Sequence, residues 1–360
     1  MRKNKYSLFP VVHKGIWDLY EVQTRAFWVP FEIDFSHDLA DLDKMSPNER
    51  ALLLQVLAFF AQSDGIVNEN LCLRFMSDIN IPEVRQFYSI QVGIEAVHAH
   101  TYNLMIDTYI KDLEEKNQLF NAIGNFPAIA GKARWATRWI DSQEDFAARL
   151  LAFALVEGVF FSGSFCTIYW LRDRGILPGL AHANDLIARD EGLHWLFASV
   201  LYKELVTIQN KISELDRQQS VLLSTDNYEQ VSSTELGDLL KEKHYLSSLT
   251  AEKFKPLGRE VVESMVRDAV RLEQEFITES LPVSVLGMNT DLMGQYIEFQ
   301  ADVVLSEFGF TPIFGHKRQP FDFMIKNDVR GKVNFFERRA SEYVKSTREK
   351  IDFAVEEDDF

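Results

Sequence analysis

The chain has 360 residues, 46% hydrophobic and 26% charged, enough for a substantial interior in one large domain or two smaller ones. Its 54 acidic and 38 basic residues leave a formal net charge of -16, a field that repels a phosphate backbone and argues against nucleic-acid binding. The two cysteines, Cys72 and Cys166, form no CxxC pair and no disulfide framework, so buried thiols in a reducing compartment are expected.

Met1 to Pro10 is basic and polar, without the apolar centre of a secretory signal. Pro47 to Phe75 reads as a helix, with Ser46 as N-cap, Pro47 at the first helical position and Glu49 where a capping box needs it. Ser77-Asp78-Ile79-Asn80-Ile81-Pro82 breaks the pattern, and a second helix runs from about Glu83 into Lys111. A further long helix covers roughly Gln143 to Arg174 and ends at Gly175-Ile176-Leu177-Pro178-Gly179. Its most apolar run, Leu150 to Phe161, is too short for a membrane span and carries Glu157, so a soluble cytoplasmic protein is expected.

The next helix is expected from about Ala181 to Leu205, with later ones near Gly258–Glu279 and Asp291–Phe308. Lys203 to Lys255 is polar and proline-free; Leu205, Ile208, Ile212, Leu215 and Leu222 fall on a 3-4 spacing, with Gln219 filling one position. This stretch reads equally as an exposed helical hairpin or a partly disordered insertion. No strand-like alternation is sustained, so the fold expected is all-α. The chain turns polar after Phe335-Phe336-Glu337-Arg338-Arg339 and ends Glu356-Glu357-Asp358-Asp359-Phe360, which suits a solvated tail or a docking peptide.

Two Glu-x-x-His motifs, Glu95–His98 and Glu191–His194, lie within helical stretches. Residues i and i+3 share a helix face, so each pair can grip one cation. Such a pair alone is more often a surface accident, and two further carboxylates raise its weight. Asp64 and Glu95 have their midpoint between Ile79 and Asn80, inside the first break, while Glu157 and Glu191 have theirs at Arg174, directly before the second. Each antiparallel hairpin therefore sets a lone carboxylate level with a Glu-x-x-His, and two facing hairpins converge four carboxylates and two imidazoles. Asp64 and Glu157 stand in apolar surroundings, where an ionised group is costly unless it is paired or binds a metal. Buried structural acceptors are the plainer reading, but they leave the doubled geometry unexplained.

Four carboxylates and two histidines without a thiolate suit iron or manganese better than structural zinc, and helical bundles carry di-iron and di-manganese sites of this kind. Asp190, beside Glu191, suits holding a ligating imidazole by its other nitrogen, or is simply a helix-surface acid. Tyr102 lies one turn beyond His98; Phe161 and Phe165 lie one and two turns beyond Glu157, and Ile187 one turn before Glu191. A tyrosine there is usually core, but beside an oxygen-activating metal pair it is also an oxidisable group shielded from water.

Asp64, Glu95-Ala96-Val97-His98, Tyr102, Glu157 and Arg189-Asp190-Glu191-Gly192-Leu193-His194 together resemble the small, radical-generating subunit of class I ribonucleotide reductases, closest to its eukaryotic and viral branch. Further matching stretches are Ser63 to Asn70, Glu157 to Phe165, Arg271 to Phe276 and Asn334 to Glu337. The resemblance covers nearly the whole chain apart from Lys203–Lys255. It implies a ferritin-like bundle over residues 1–340 with a flexible tail over 341–360, a homodimer, and a di-iron site, or a manganese one, that reacts with oxygen. The ligands it implies are Asp64, Glu95, His98, Glu157, Glu191 and His194, with a stable radical at Tyr102. It further implies a transfer path through Trp28 and Asp190 to His98, an onward step through Tyr343, and docking on the large subunit through Phe353–Phe360. Ribonucleotide reduction would then belong to that partner, in keeping with a chain that shows no phosphate-cradling glycine loop and no cysteine pair.

Two departures from the pattern stand out. Lys203–Lys255 is longer than the usual connection, and the tail is one residue longer between its aromatic ends. The alternatives are another di-iron oxidase or desaturase, which would not need Tyr102, Trp28, Tyr343 and the acidic tail together; an iron-storage protein, which the Phe-rich wall around Tyr102 disfavours; and a structural subunit, which would be expected to have lost a ligand.

Overall fold

The structure, a computed structural model, describes residues 7–70, 74–140, 145–223, 233–250, 254–281 and 288–325. It is built from α1 (Lys14–Arg25), α2 (Leu39–Leu42), α3 (Pro47–Asn70), α4 (Met76–Asp78), α5 (Pro82–Tyr109), α6 (Leu113–Phe120), α7 (Ala122–Asn125) and α8 (Pro127–Ile140). There follow α9 (Phe146–Leu155), a π-helical turn over Val156–Phe160, α10 (Ser162–Asp173), α11 (Pro178–Leu222), α12 (Ser233–Ser247), α13 (Arg259–Ser280), α14 (Thr290–Phe308) and α15 (Asp322–Ile325). No strand ladder occurs among the described residues, and the fold is the expected all-α bundle.

Local chemistry accounts for the main boundaries. The Ser46 hydroxyl accepts from the Glu49 N–H at 3.3 Å while the Glu49 carboxylate accepts from the Ser46 N–H at 2.9 Å, so α3 starts in a reciprocal capping box. Pro82 opens α5 at a position where no backbone N–H is needed. The second turn closes differently from the sequence expectation. Pro178 takes the first position of α11, with Leu177 left-handed at φ 56°, so the helix begins before Ala181 and Gly179 lies inside it. Asp38, from a distant segment, accepts from the N–H groups of Gly179 and Leu180 at 2.8 Å each. A Cβ on Gly179 would stand 2.6 Å from the Asp34 carbonyl oxygen, so only glycine lets that segment approach.

The bundle consists of two antiparallel hairpins, α3 with α5 and the α9–π–α10 stretch with α11. Helix α1 crosses α5 and α11, while α13 and α14 cover the π-helical turn. Phe146–Asp173 is long and apolar enough to span a bilayer, but 94% of its most apolar window is buried inside the protein. Its apolarity therefore serves the core of the bundle.

Helix α11 continues well past Leu205, to Leu222, over 45 residues. Leu205, Ile208 and Leu215, all on the heptad-like spacing, are buried, and α12 packs back along them with Leu239. Lys243 bridges the two arms through an ion pair with Asp216 and a hydrogen bond to Gln219 at 3.1 Å. The described parts of Lys203–Lys255 thus form a helical hairpin projecting from the bundle.

Candidate metal centre

Helices α5 and α11 bring Glu95, His98, Glu191 and His194 together at 0–1% exposure. The two imidazoles point their Nδ1 atoms at the same pair of carboxylates. His98 Nδ1 lies 3.0 Å from Glu191 Oε1 and 3.5 Å from Glu95 Oε2; His194 Nδ1 lies 2.8 Å from Glu95 Oε1 and 3.0 Å from Glu191 Oε2. Glu95 and Glu191 therefore each face both histidines, one oxygen to each. Glu157 joins them: one ligand atom each from Glu95, Glu157, Glu191 and His194 lies within 4.8 Å of the others. Asp64 belongs to α3, but its side chain lies outside the described residues.

The π-helical turn accounts for the placement of Glu157. A π turn takes one extra residue without breaking the helix, and such turns recur at functional sites. Gly158 completes the fit, since a Cβ there would stand 2.6 Å from Val304 Cγ2 on α14.

Electrostatics bind the cluster tightly. Burial opposes charging an imidazole, yet the Glu95 and Glu191 carboxylates hold His194 up at about 9. His98 is likewise raised against its burial, through hydrogen bonds with Asp190, Glu191 and Glu95. Burial works against the Glu191 carboxylate too, but its hydrogen bonds with Glu157, His194 and His98 hold it well below the usual range. Hard oxygens and imidazole nitrogens, buried and crowded together, form a donor set that suits divalent cations in place of the protons they share.

The outer nitrogens are also held. His98 Nε2 lies 3.2 Å from Asp190 Oδ2, which also accepts from Trp28 Nε1 at 2.7 Å. Arg189 fixes Asp190 from the other side, 2.8 Å from Oδ1 through Nε, and donates to the Ala26 carbonyl at 2.7 Å. His194 Nε2 lies 2.8 Å from the amide of Gln23 on α1, a residue that no sequence motif singles out. Gln23 sits 171 positions from its partner in an ordinary amphipathic helix, so only the fold reveals the contact.

Tyr102 is 1% exposed, one helical turn beyond His98. Its ring stacks on Phe60 at 4.5 Å and 5°, and Phe60 packs on Phe161 and Phe165 at 5.4 and 5.0 Å. The wall around it is aromatic and buried. Tyr343 and Phe353–Phe360 lie outside the described residues.

Comparison with known proteins agrees with this architecture. A family model described as "Ribonucleotide reductase, small chain" matches residues 5–230 and 239–320. The chain belongs to the ribonucleotide reductase small-chain family. It is 42% identical over 342 residues to the ribonucleoside-diphosphate reductase small chain of vaccinia virus (strain Ankara), covering 95% of this chain and 92% of the viral one. It is 44% identical over 345 residues to the small subunit from Dictyostelium discoideum, covering 96% and 88%. Among solved structures, the Rnr4 homodimer of Saccharomyces cerevisiae aligns with a TM-score of 0.69 at 28% identity, covering 95% of this chain and 90% of the yeast one. The eukaryotic and viral branch expected from the motifs is thus the one in which its relatives lie, and for a small chain of this family a buried Glu/His cluster signifies a di-metal site.

Proposed function

We propose that this chain is the radical-supplying small subunit of a ribonucleoside-diphosphate reductase, an oxidoreductase that turns over only with its large subunit. The observation that carries this reading is the double bridge, in which Glu95 and Glu191 each face both imidazoles, one turn from a buried Tyr102. Glu95, His98, Glu157, Glu191 and His194, with Asp64 from α3, would hold two iron ions, with manganese as the competing occupant. Iron held there in the ferrous state would supply two of the four electrons that reduce dioxygen to water, with the third drawn from Tyr102 and the fourth from further ferrous iron or another external reductant.

The chain's own residues govern where the oxidising equivalent rests and how it leaves. Tyr102 gives up one electron and its phenolic proton in a pocket from which Phe60, Phe161 and Phe165 exclude water, so the oxidised ring is protected from reductants in solution. Asp190 holds the outer nitrogen of His98 and the indole N–H of Trp28 on one oxygen, a continuous polar link from the site to Trp28. Trp28, Asp190 and Tyr343 carry the oxidising equivalent outward, and Phe353–Phe360 docks the homodimer on the large subunit in the cytoplasm. An acidic chain without a nucleotide-cradling loop fits a subunit that delivers an oxidant and leaves substrate binding to its partner.

Electron paramagnetic resonance after ferrous iron and oxygen are added to the apoprotein tests the reading. The wild type should give a tyrosyl signal, and Tyr102→Phe should lack it. No signal in the wild type, or the same signal in Tyr102→Phe, overturns it. Metal analysis of the protein isolated active from cells separates iron from manganese.

A further inference from the structure

Away from the Glu/His cluster, the bundle buries a second ionisable pair. Lys132 on α8 and Glu273 on α13 are 1% and 0% exposed and lie 2.6 Å apart. A buried ion pair is weak evidence of stabilisation, because apolar side chains of the same volume often hold a core as well. Its position suggests another reason for it.

The two side chains grip the backbone where the π-helical turn passes into α10. Lys132 Nζ donates to the Phe160 carbonyl, the last residue of the turn, at 2.7 Å. Glu273 Oε1 accepts from the Gly163 N–H, in the first turn of α10, at 3.1 Å. Backbone donors at a helix start have no partner within the helix, so an outside acceptor fixes where that helix begins. Gly163 is what admits the carboxylate: a Cβ there would stand 2.5 Å from Glu273 Oε1 and 2.7 Å from Ile277 Cδ1. The ammonium is held in turn over the rings of Phe59 and Phe276, 3.3 and 4.1 Å from their centroids. Glu157 lies three residues before Phe160 in the same turn. A slip of the turn by a fraction of a residue would swing Glu157 away from Glu95, Glu191 and His194.

We propose that Lys132 and Glu273 are positioning residues for Glu157, an ion pair that clamps both sides of the π-to-α junction and so sets the register of that ligand. This rests on the metal-centre reading, and the experiment separates the two. The full-length chain is titrated with cobalt(II), following the ligand-field absorption, alongside thermal melting. The wild type should bind two equivalents. The double variant Lys132→Met/Glu273→Leu should melt within a few degrees of the wild type but bind one equivalent about 10- to 100-fold more weakly, with an altered spectrum, the loss expected when a group that orients a ligand is removed.

In a Glu157→Ala background the same double change should cost no further affinity. Glu273→Gln, which keeps an acceptor for the Gly163 N–H, should show a smaller loss in the same direction and serves if the double variant does not fold. Wild-type affinity and spectrum in the folded variants overturn the proposal, as does an undiminished further loss in the Glu157→Ala background. A wild-type chain that binds fewer than two equivalents overturns the metal-centre reading, and this inference with it.

Discussion

The indole of Trp28 donates to Asp190 Oδ2 at 2.7 Å, 162 residues away in sequence, and that same oxygen lies 3.2 Å from His98 Nε2. Trp28 is 4% exposed, and its ring centroid lies 6.0 Å from that of His98. One carboxylate oxygen therefore joins the edge of the metal site to a buried indole whose chain neighbours, Phe27 and Val29, are exposed. Replacing Trp28 with Phe removes the N–H but keeps a ring. The radical at Tyr102 should form at wild-type yield, while turnover with the large subunit should fall at least about 100-fold, roughly 2.7 kcal/mol on the barrier. Paired spin quantitation and reductase assays check this, and unchanged turnover would remove Trp28 from the path.

Gln23 should matter more than its plain setting suggests. An imidazole ligated through Nδ1 carries its proton on Nε2 and needs an acceptor there, which the Gln23 amide oxygen supplies after a half-turn of the side-chain end. Gln23→Leu should weaken binding of one metal equivalent by about 10- to 100-fold, and Gln23→Glu should retain most of the affinity. Equal binding by Gln23→Leu and the wild type in a competitive chelator titration would show that the contact does not orient His194.

Metal uptake should release protons. His194 is held up at about 9, so it carries an extra proton at neutral pH in the metal-free chain, and His98 is shifted in the same direction, against its burial, by Asp190, Glu191 and Glu95. A cation bound through Nδ1 must displace that proton. Protons compete for the same atoms, so the apparent affinity should rise with pH from neutrality to about 9 and level off above. Calorimetry in two buffers of different ionisation enthalpy counts the protons released; a count of zero at pH 7 would contradict the assignment of these nitrogens as ligands.

Deleting Phe353–Phe360 should abolish reductase activity with the large subunit while leaving the radical signal intact. Activity surviving the deletion would remove the tail from the docking surface.

Much of the bundle and its site could be read from residue spacing, because helical hairpins turn sequence separation into height. The breaks at Ile79–Asn80 and near Arg174 predict Asp64 level with Glu95 and Glu157 level with Glu191, and the Asp64 side chain lies outside the described residues. Glu191 and Glu157 do approach within one cluster, and the two Glu-x-x-His pairs meet face to face. The features that escaped have no local period. The π-helical turn lies in a run of apolar residues where one extra residue per turn leaves no mark on the pattern. Lys132 reads as an ordinary charged residue of an amphipathic helix, and only the fold brings Glu273, 141 residues on, against it. Helix α11 begins early because Asp38 caps it from far away, and it ends late because α12 covers its apolar stripe. Tertiary partners, not the local pattern, decided each of these.

That same remoteness acts as an interlock. The link Trp28–Asp190–His98 draws on three separate segments of the chain, and Gln23, just before Trp28 in sequence, ties His194 to the first of them across 171 residues. Each of these contacts requires the helices that carry it to be packed in place. A half-folded chain could present one Glu-x-x-His, but it would lack the Trp28–Asp190–His98 link and the aromatic wall around Tyr102. On the proposed function, the route for the oxidant and the pocket that shelters it are therefore completed together.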